Sequence, residues 1–313
     1  MRRLWGEAVS IPHYDKVALL LPMFGDNNGV DFRDYGPQSR SATAIGDAKT
    51  VTSQGEHYGS CAYFDGAGDA ILEGAVNADW TFLHSGAEPW TLAVRVRPAG
   101  SADYRTIVDT GGGATANRGI YLGVRNTGAL RLLIARGTGG TYEVDINTSA
   151  GVVPSDAWNQ VVLDFDGTTI RLCVGDAVVG SSARSSPSSA APSSPLRLFA
   201  TSPSSASPYA GYAEDFVIWR GASIFGDTPY ELSRLVGEIS GNVTDATGDP
   251  AERRIFAVPR AAPVRGFETV SDAAGDYSLM VPATECSRIV LADDDGDQST
   301  PVRPDRIRRI IPQ

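Results

Sequence analysis

Cysteine, histidine and methionine are scarce in this 313-residue sequence, at three residues each. Cys61, Cys173 and Cys286 form no CxxC pair, and an odd number cannot all pair within the chain. Each lies in or beside an apolar, strand-like run, so they read as small buried residues of a protein folded in a reducing compartment. His13, His57 and His84 are far apart and no HExxH occurs, which leaves zinc hydrolysis without its motif. No GxSxG elbow is present, and Gly111-Gly112-Gly113 is not followed by the Lys-Ser/Thr of a phosphate loop. No apolar run is long enough to span a membrane. The start, Met1-Arg2-Arg3, runs into Leu4-Trp5-Gly6-Glu7 rather than an apolar leader core, so neither membrane insertion nor a signal peptide is expected. Positive charge is also in deficit. Against 37 acidic side chains stand 27 Lys and Arg, a formal net charge of −10, which disfavours nucleic acid as a partner. Heptads and Gly-X-Y repeats are missing, which argues against a slender fibre.

What the chain has in quantity is glycine, 34 residues, set between short apolar runs. Tight turns joining short strands give that pattern. Residues 1–16 read as an N-terminal arm. Val17 to Leu21 is an apolar strand closed by Pro22, and Asp26-Asn27-Asn28-Gly29 is a turn, followed by a loop with Phe32 as its plug. Trp90 to Arg97 alternates: Trp90, Leu92, Val94 and Val96 take one face, and Thr91, Ala93, Arg95 and Arg97 the other, as in a half-buried strand. Further strands are read at 62–64, 69–72, 107–109, 119–124, 129–135, 142–146, 158–165, 169–174, 173–179, 196–200 and 213–220. Two Ser/Pro-rich loops, 181–195 and 201–208, read as exposed and mobile. One short helix is expected near Pro229 to Val236, from early proline, Glu231 and the following Gly237. The pattern then restarts in a compact strand set. The expected organisation is therefore an arm (1–16), a large domain (17–228), a helical linker (229–237) and a small β-sandwich with a C-terminal tail (238–313). Many short strands without βα alternation predict an all-β protein of packed antiparallel sheets.

Several stretches taken together resemble a known family. They are Ala62-Tyr63-Phe64-Asp65-Gly66 with Asp69, Pro89 to Pro98, Trp158 to Leu163, Asp166-Gly167 to Leu172, and Glu214-Asp215-Phe216-Val217-Ile218-Trp219. In order and spacing, across residues 17 to about 220, they resemble the laminin-G-like domains of the concanavalin-A-like lectin/glucanase superfamily. The resemblance implies an antiparallel jelly-roll β-sandwich. Residues 239–279 resemble carboxypeptidase-regulatory-like, transthyretin-like sandwiches, so a small Ig/transthyretin-like β-sandwich is expected to follow. The pairing resembles bacteriophage virion proteins and implies a non-enzymatic accessory role in a tail, tail tip or head surface. The implied partners are other virion proteins and further copies of the chain in a compact homo-oligomer. The implied location is the virion, with host cytoplasm during assembly. Arg306, Ile307, Arg308, Arg309 and Ile310 combine an apolar stripe with cations and are the expected docking element. The alternative is a glycan-binding adhesin for host-surface polysaccharide, and a third reading is a glycan hydrolase.

The hydrolase reading rests on Glu143-Val144-Asp145-Ile146-Asn147, which resembles the catalytic strand of laminarinase-type glucanases. Retaining glycosidases need two carboxyls about 5 Å apart. Asn147 stands where the acid/base would be, and a polar outer strand face is the plain reading. For sugar stacking the candidates are Trp80, Phe82, Tyr104, Tyr121 and Tyr142, with Trp90 and Trp158 assigned to the core. No organic cofactor is implied. Calcium is the one ion with candidate ligands: Asp26 and Asn28 in one loop, with Asp31 and Asp34 beside them, and Asp65, Asp69 and Asp215 in the motifs above. Asp293 to Asp297 is also dense in acid but lacks an EF-loop glutamate.

Overall fold

The computed structural model describes residues 11–73, 77–100, 103–137, 139–184, 188–201, 207–226, 235–243, 249, 250, 252, 254–259, 267–282 and 286–292. The chain divides into two units. One is Lys16–Leu232; the other joins Met1–Asp15 to Ser233–Gln313. No helix among the described residues is long and apolar enough to cross a membrane.

The larger unit is a sandwich of two antiparallel sheets, the jelly-roll class read from the sequence. Its strands are β1 (Val17–Leu21), β2 (Ala42–Ile45), β3 (Lys49–Thr52), β4 (Ser60–Asp65), β5 (Ala70–Glu73), β6 (Trp90–Pro98), β7 (Tyr104–Asp109) and β8 (Arg118–Arg125). They continue as β9 (Leu130–Arg136), β10 (Val144–Asn147), β11 (Asn159–Phe165), β12 (Thr169–Val174), β13 (Ala177–Ala183), β14 (Arg197–Leu198) and β15 (Ala210–Arg220). One sheet runs β13-β12-β11-β6-β15-β4-β3, with β1 also on β15; the other runs β10-β9-β8-β7-β14-β5-β2. Leu92, Val94 and Val96 of β6 meet Ile120, Leu122 and Val124 of β8 in one core shared by both sheets. Alternation places these residues inward, and burial at about 25 cal/mol per Å² of apolar surface holds the sheets together.

Three expectations need correction here. β6 is buried on both faces, not one: Thr91, Ala93 and Arg95 are covered as well. Asp164, on β11 beside β6, explains part of this. Its carboxylate accepts hydrogen bonds from the hydroxyls of Thr91 and Ser223 and from the N–H groups of Ile224 and Gly226, folding residues 222–226 over the outer face. Helix is found elsewhere than expected, in single turns at Tyr14–Lys16 and Asn77–Trp80 and in α1 (Phe82–Ser85). Of the anticipated helix, residues 229–234 lie outside the described ones, and Val236 opens a strand. The first Ser/Pro loop is pinned over its described residues. Pro192 and Ser194 are buried, Ala190 O accepts from His84 Nε2, and Ala191 O accepts from Arg118 Nε.

The smaller unit holds β16 (Val236–Asn242) paired with β19 (Asp276–Pro282). Beside them in sequence, β17 (Arg254–Pro259) sits between β18 (Phe267–Val270) and β20 (Cys286–Ala292). Ile239, Ile255, Phe267, Leu279 and Val281 are buried. The cysteines Cys61 and Cys173 are buried free thiols, pushed up to about 12 and about 11 by burial.

Candidate functional site

β15 changes partners halfway along. Its first half, Ala210 to Ala213, pairs with β4, and Phe216 to Trp219 pairs with β1. Between them the register against β6 shifts, from Glu214 to Val217, in a β-bulge. Asp215 takes a left-handed backbone there, φ 53°. A non-glycine residue in that region costs free energy that the surroundings must supply. They supply it by using both acidic side chains. The Asp215 carboxylate bonds His57 Nδ1 at 2.5 Å and accepts from the Tyr58 hydroxyl at 2.6 Å. Its N–H donates to Pro22 O. Glu214 is fully buried and accepts from the N–H groups of Glu56 and His57. Arg95 supplies counter-charge, ion-paired with Glu56 and 3.7 Å from Glu214. Burial, then the neighbouring Asp215 charge, pushes the Glu214 carboxyl up to about 7 against the lowering influence of His57 and Arg95.

This knot supports the wall of a pocket of about 310 Å³. The lining comes from one loop, Pro22 to Tyr35, and from Thr50 of β3: Phe24, Asp26, Asp31, Phe32, Arg33 and Tyr35 contribute the side chains with chemistry. Phe24 is anchored between rings, 5.7 Å from Tyr35 and 5.1 Å from Tyr58 between centroids. Gly25 N–H donates to Ser60 Oγ, Asn28 N–H donates to Thr50 O, and Thr50 N–H donates to Gly29 O. The Arg33 guanidinium lies 5.3 Å from the Tyr35 ring centroid. An aromatic face with carboxylates and a guanidinium around it is a surface suited to a polyhydroxylated ring.

The sequence-based candidates are distributed differently. Trp80, Phe82 and Tyr121 are corrected from sugar platforms to buried side chains, 0%, 3% and 5% exposed. Trp80 Nε1–H donates to the buried Glu73, and the Tyr121 hydroxyl is pushed up to about 12 by burial. Trp158, assigned to the core, is only half-buried. Tyr104 is half-buried under the Arg125 guanidinium at 5.1 Å, and the Tyr142 hydroxyl donates to Gly113 O. Of the calcium candidates, Asp34 is spent on backbone: it accepts from the N–H groups of Leu20, Gly36 and Arg40. Asp26 is exposed and lines the pocket, and Asn28 is an exposed turn residue with φ 65°. Asp65 and Asp69 do converge, together with Asp47, one oxygen of each within 4.8 Å of the others. Asp69 accepts from Asp47 N–H and Asp65 N–H, and burial pushes its carboxyl up to about 6. Three carboxylates fall short of the six to eight oxygens calcium takes, so backbone or water oxygens would have to complete the shell. Asp215 is not part of this group; it belongs to the His57 knot. The docking residues Arg306, Ile307, Arg308, Arg309 and Ile310, and Asp293 to Asp297, lie outside the described residues.

Glu143 also departs from expectation. It precedes β10, whose Asp145 and Asn147 are exposed. Its side chain is 1% exposed and pairs with Arg184 at 2.9 Å, while Asp145 pairs with Arg131. The two carboxylates serve different partners, not one cleft.

Residues 73–223 match a laminin-G family model described as the concanavalin A-like lectin/glucanases superfamily. Among solved structures, a tryptophan-to-alanine mutant of HCR D/C is similar at 11% identity and TM-score 0.50, over 96% of this chain and 70% of that one. The binding domain of botulinum neurotoxin DC in complex with SialylT is similar at 11% identity and TM-score 0.47, over 90% and 78%. The CBM40 of Ruminococcus gnavus IT-sialidase, bound to alpha2,3 sialyllactose, is similar at 13% identity and TM-score 0.39, over 45% and 79%. At 11% identity and TM-score 0.50, the first of these likenesses is one of fold alone. No curated protein matches the chain.

Proposed function

We propose that the chain is a non-catalytic glycan-binding protein, and that its sugar site is the pocket between Pro22 and Tyr35. The observation that carries this reading is the pocket itself: Phe24 presented at its wall by Tyr35 and Tyr58, with Asp26, Asp31 and Arg33 around it. A lectin-superfamily match over residues 73–223 of the same sandwich, which does not include the pocket residues, supports the lectin-like class. In a phage particle, the setting implied by the paired domains, such binding would serve attachment to a host surface, with the tail from Arg306 to Ile310 as the docking element. The test is titration of the full chain with oligosaccharides. Phe24→Ala is expected to weaken binding roughly tenfold, the scale of one aromatic contact. Binding that survives this change intact would move the site elsewhere, and release of reducing ends from polysaccharide would overturn the non-catalytic reading.

Calcium at Asp47, Asp65 and Asp69 is a separate proposal with its own measurement. A bound ion stabilises the folded state by mass action, so Tm is expected to rise in calcium and fall in EDTA. Identical melting in both removes the ion from this site.

A further inference from the structure

The charges around the pocket restrict what sugar it takes, and this step rests on the glycan-binding reading. Two exposed carboxylates, Asp26 and Asp31, line it against one guanidinium. That guanidinium, Arg33, lies over the Tyr35 ring. Behind the wall sit more acids. Asp215 bonds Pro22 through its N–H and Tyr58 through its carboxylate, with Glu56 and the largely protonated Glu214 as neighbours, and Arg95 and His57 are the basic partners there. The whole chain carries −10. An anionic ligand entering this pocket loses hydration and meets a field of its own sign. A sugar hydroxyl meets the opposite situation. It donates to a carboxylate in a charge-assisted bond, and adjacent hydroxyls reach two acceptors at once.

We infer that the pocket selects uncharged or amino-bearing sugar residues with free neighbouring hydroxyls, held on Phe24 by the ring face and by Asp26 and Asp31 through the hydroxyls, and that it rejects sialylated and uronate sugars. A volume of about 310 Å³ suits a single sugar residue rather than a long chain buried along its length. The selectivity lives in the two carboxylates. The aromatic wall contributes to affinity for any sugar, whereas the carboxylates set which charge is admitted.

The experiment is calorimetric titration of the full chain, in EDTA so that no cation bridges an acid to an acid. The probes are neutral hexose oligosaccharides, glucosamine oligosaccharides and sialyllactose. Neutral and amino sugars are expected to bind at least about tenfold more tightly than sialyllactose, the scale of one like-charge contact. In the Asp26→Asn, Asp31→Asn double variant that gap is expected to close to about threefold or less, with neutral sugars bound more weakly. Both positions are exposed, so the variant keeps the fold. Sialyllactose binding as tightly as neutral sugars, and lost in Phe24→Ala, would overturn the selectivity while leaving the site in place. An unchanged gap in the double variant would also overturn it. Binding of none of the probes would sink the glycan reading itself.

Discussion

A Glu143→Ala variant is expected to lose about 3–5 kcal/mol of stability, the cost of leaving a buried charge without its partner. Arg184 is 2% exposed in its side chain and Glu143 1%. The guanidinium reaches the carboxylate through both Nε and Nη2, at 3.2 and 2.9 Å. It also donates to His84 O at the end of α1 and lies 5.2 Å from the Phe165 ring centroid. Arg184 follows β13, the edge of one sheet, and Glu143 precedes β10, the edge of the other. Those edges share no ladder, so the pair clasps the sandwich where backbone hydrogen bonds do not. Removing the acid strands a cation that cannot reach water. Urea unfolding measures the loss, and a cost under about 1 kcal/mol would show that the pair is solvated. Replacing both partners, Glu143→Leu with Arg184→Met, is expected to recover most of it, because neither charge then remains buried. Glycan affinity of the folded fraction should not change, which separates this role from a catalytic one.

Strand positions were readable because apolar runs follow from the pleat: the strands expected at Trp90 to Arg97 and 158–165 are present, but the alternation at Trp90 to Arg97 named only one buried face, and the second is covered by chain that arrives from residues 222–226. β2 was not readable. Ala-Thr-Ala-Ile carries little apolar contrast, and it is placed by pairing with β5, a long-range contact. Single aromatics were misread for the same reason. Trp80 lies outside any alternating run, so nothing local distinguishes a core indole from a sugar platform. The His57 knot joins residues 157 and 158 positions apart, and no spacing rule reaches across that gap. One local signal existed: two adjacent acids, Glu214 and Asp215, interrupt an apolar strand. Buried charges in such a run require partners. The pocket is legible only in part. Asp26 stood out beside a turn signal, but Phe24 and Tyr35 gain their meaning from Tyr58, which arrives from the β3–β4 turn.

Between pH 5 and pH 8 the protein is expected to lose stability, and Glu214→Gln to remove most of that loss. Glu214 holds its proton to about 7 in the folded chain. In the unfolded chain a glutamate releases it near 4.3. Between those values the folded state therefore binds more protons, and by linkage its stability falls as pH rises. The stabilisation of the protonated form is complete below the unfolded value and gone above about 7. Its size is on the order of 4 kcal/mol in all, from about 1.4 kcal/mol per unit, of which roughly 3 kcal/mol falls above pH 5. Asp69, raised to about 6 by burial, adds a loss of the same sign that ends earlier. His84 opposes both. Burial lowers its pKa, so it favours the folded state as pH rises toward its ordinary value near 6.5. Asp166, whose burial is outweighed by hydrogen bonds from Thr169, Arg171 and Thr168 that hold it below the usual carboxylate range, contributes a constant amount above pH 5. The shape of one curve therefore mixes several groups, and the difference between wild type and Glu214→Gln isolates one. Glutamine keeps an acceptor for the N–H groups of Glu56 and His57 but carries no charge at any pH. Urea unfolding at pH 5, 6, 7 and 8 should give the variant a higher stability than wild type at pH 8 and a near-equal one at pH 5. Parallel curves for the two proteins would show that Glu214 is already ionised at pH 5, and that Arg95 and His57 outweigh its burial.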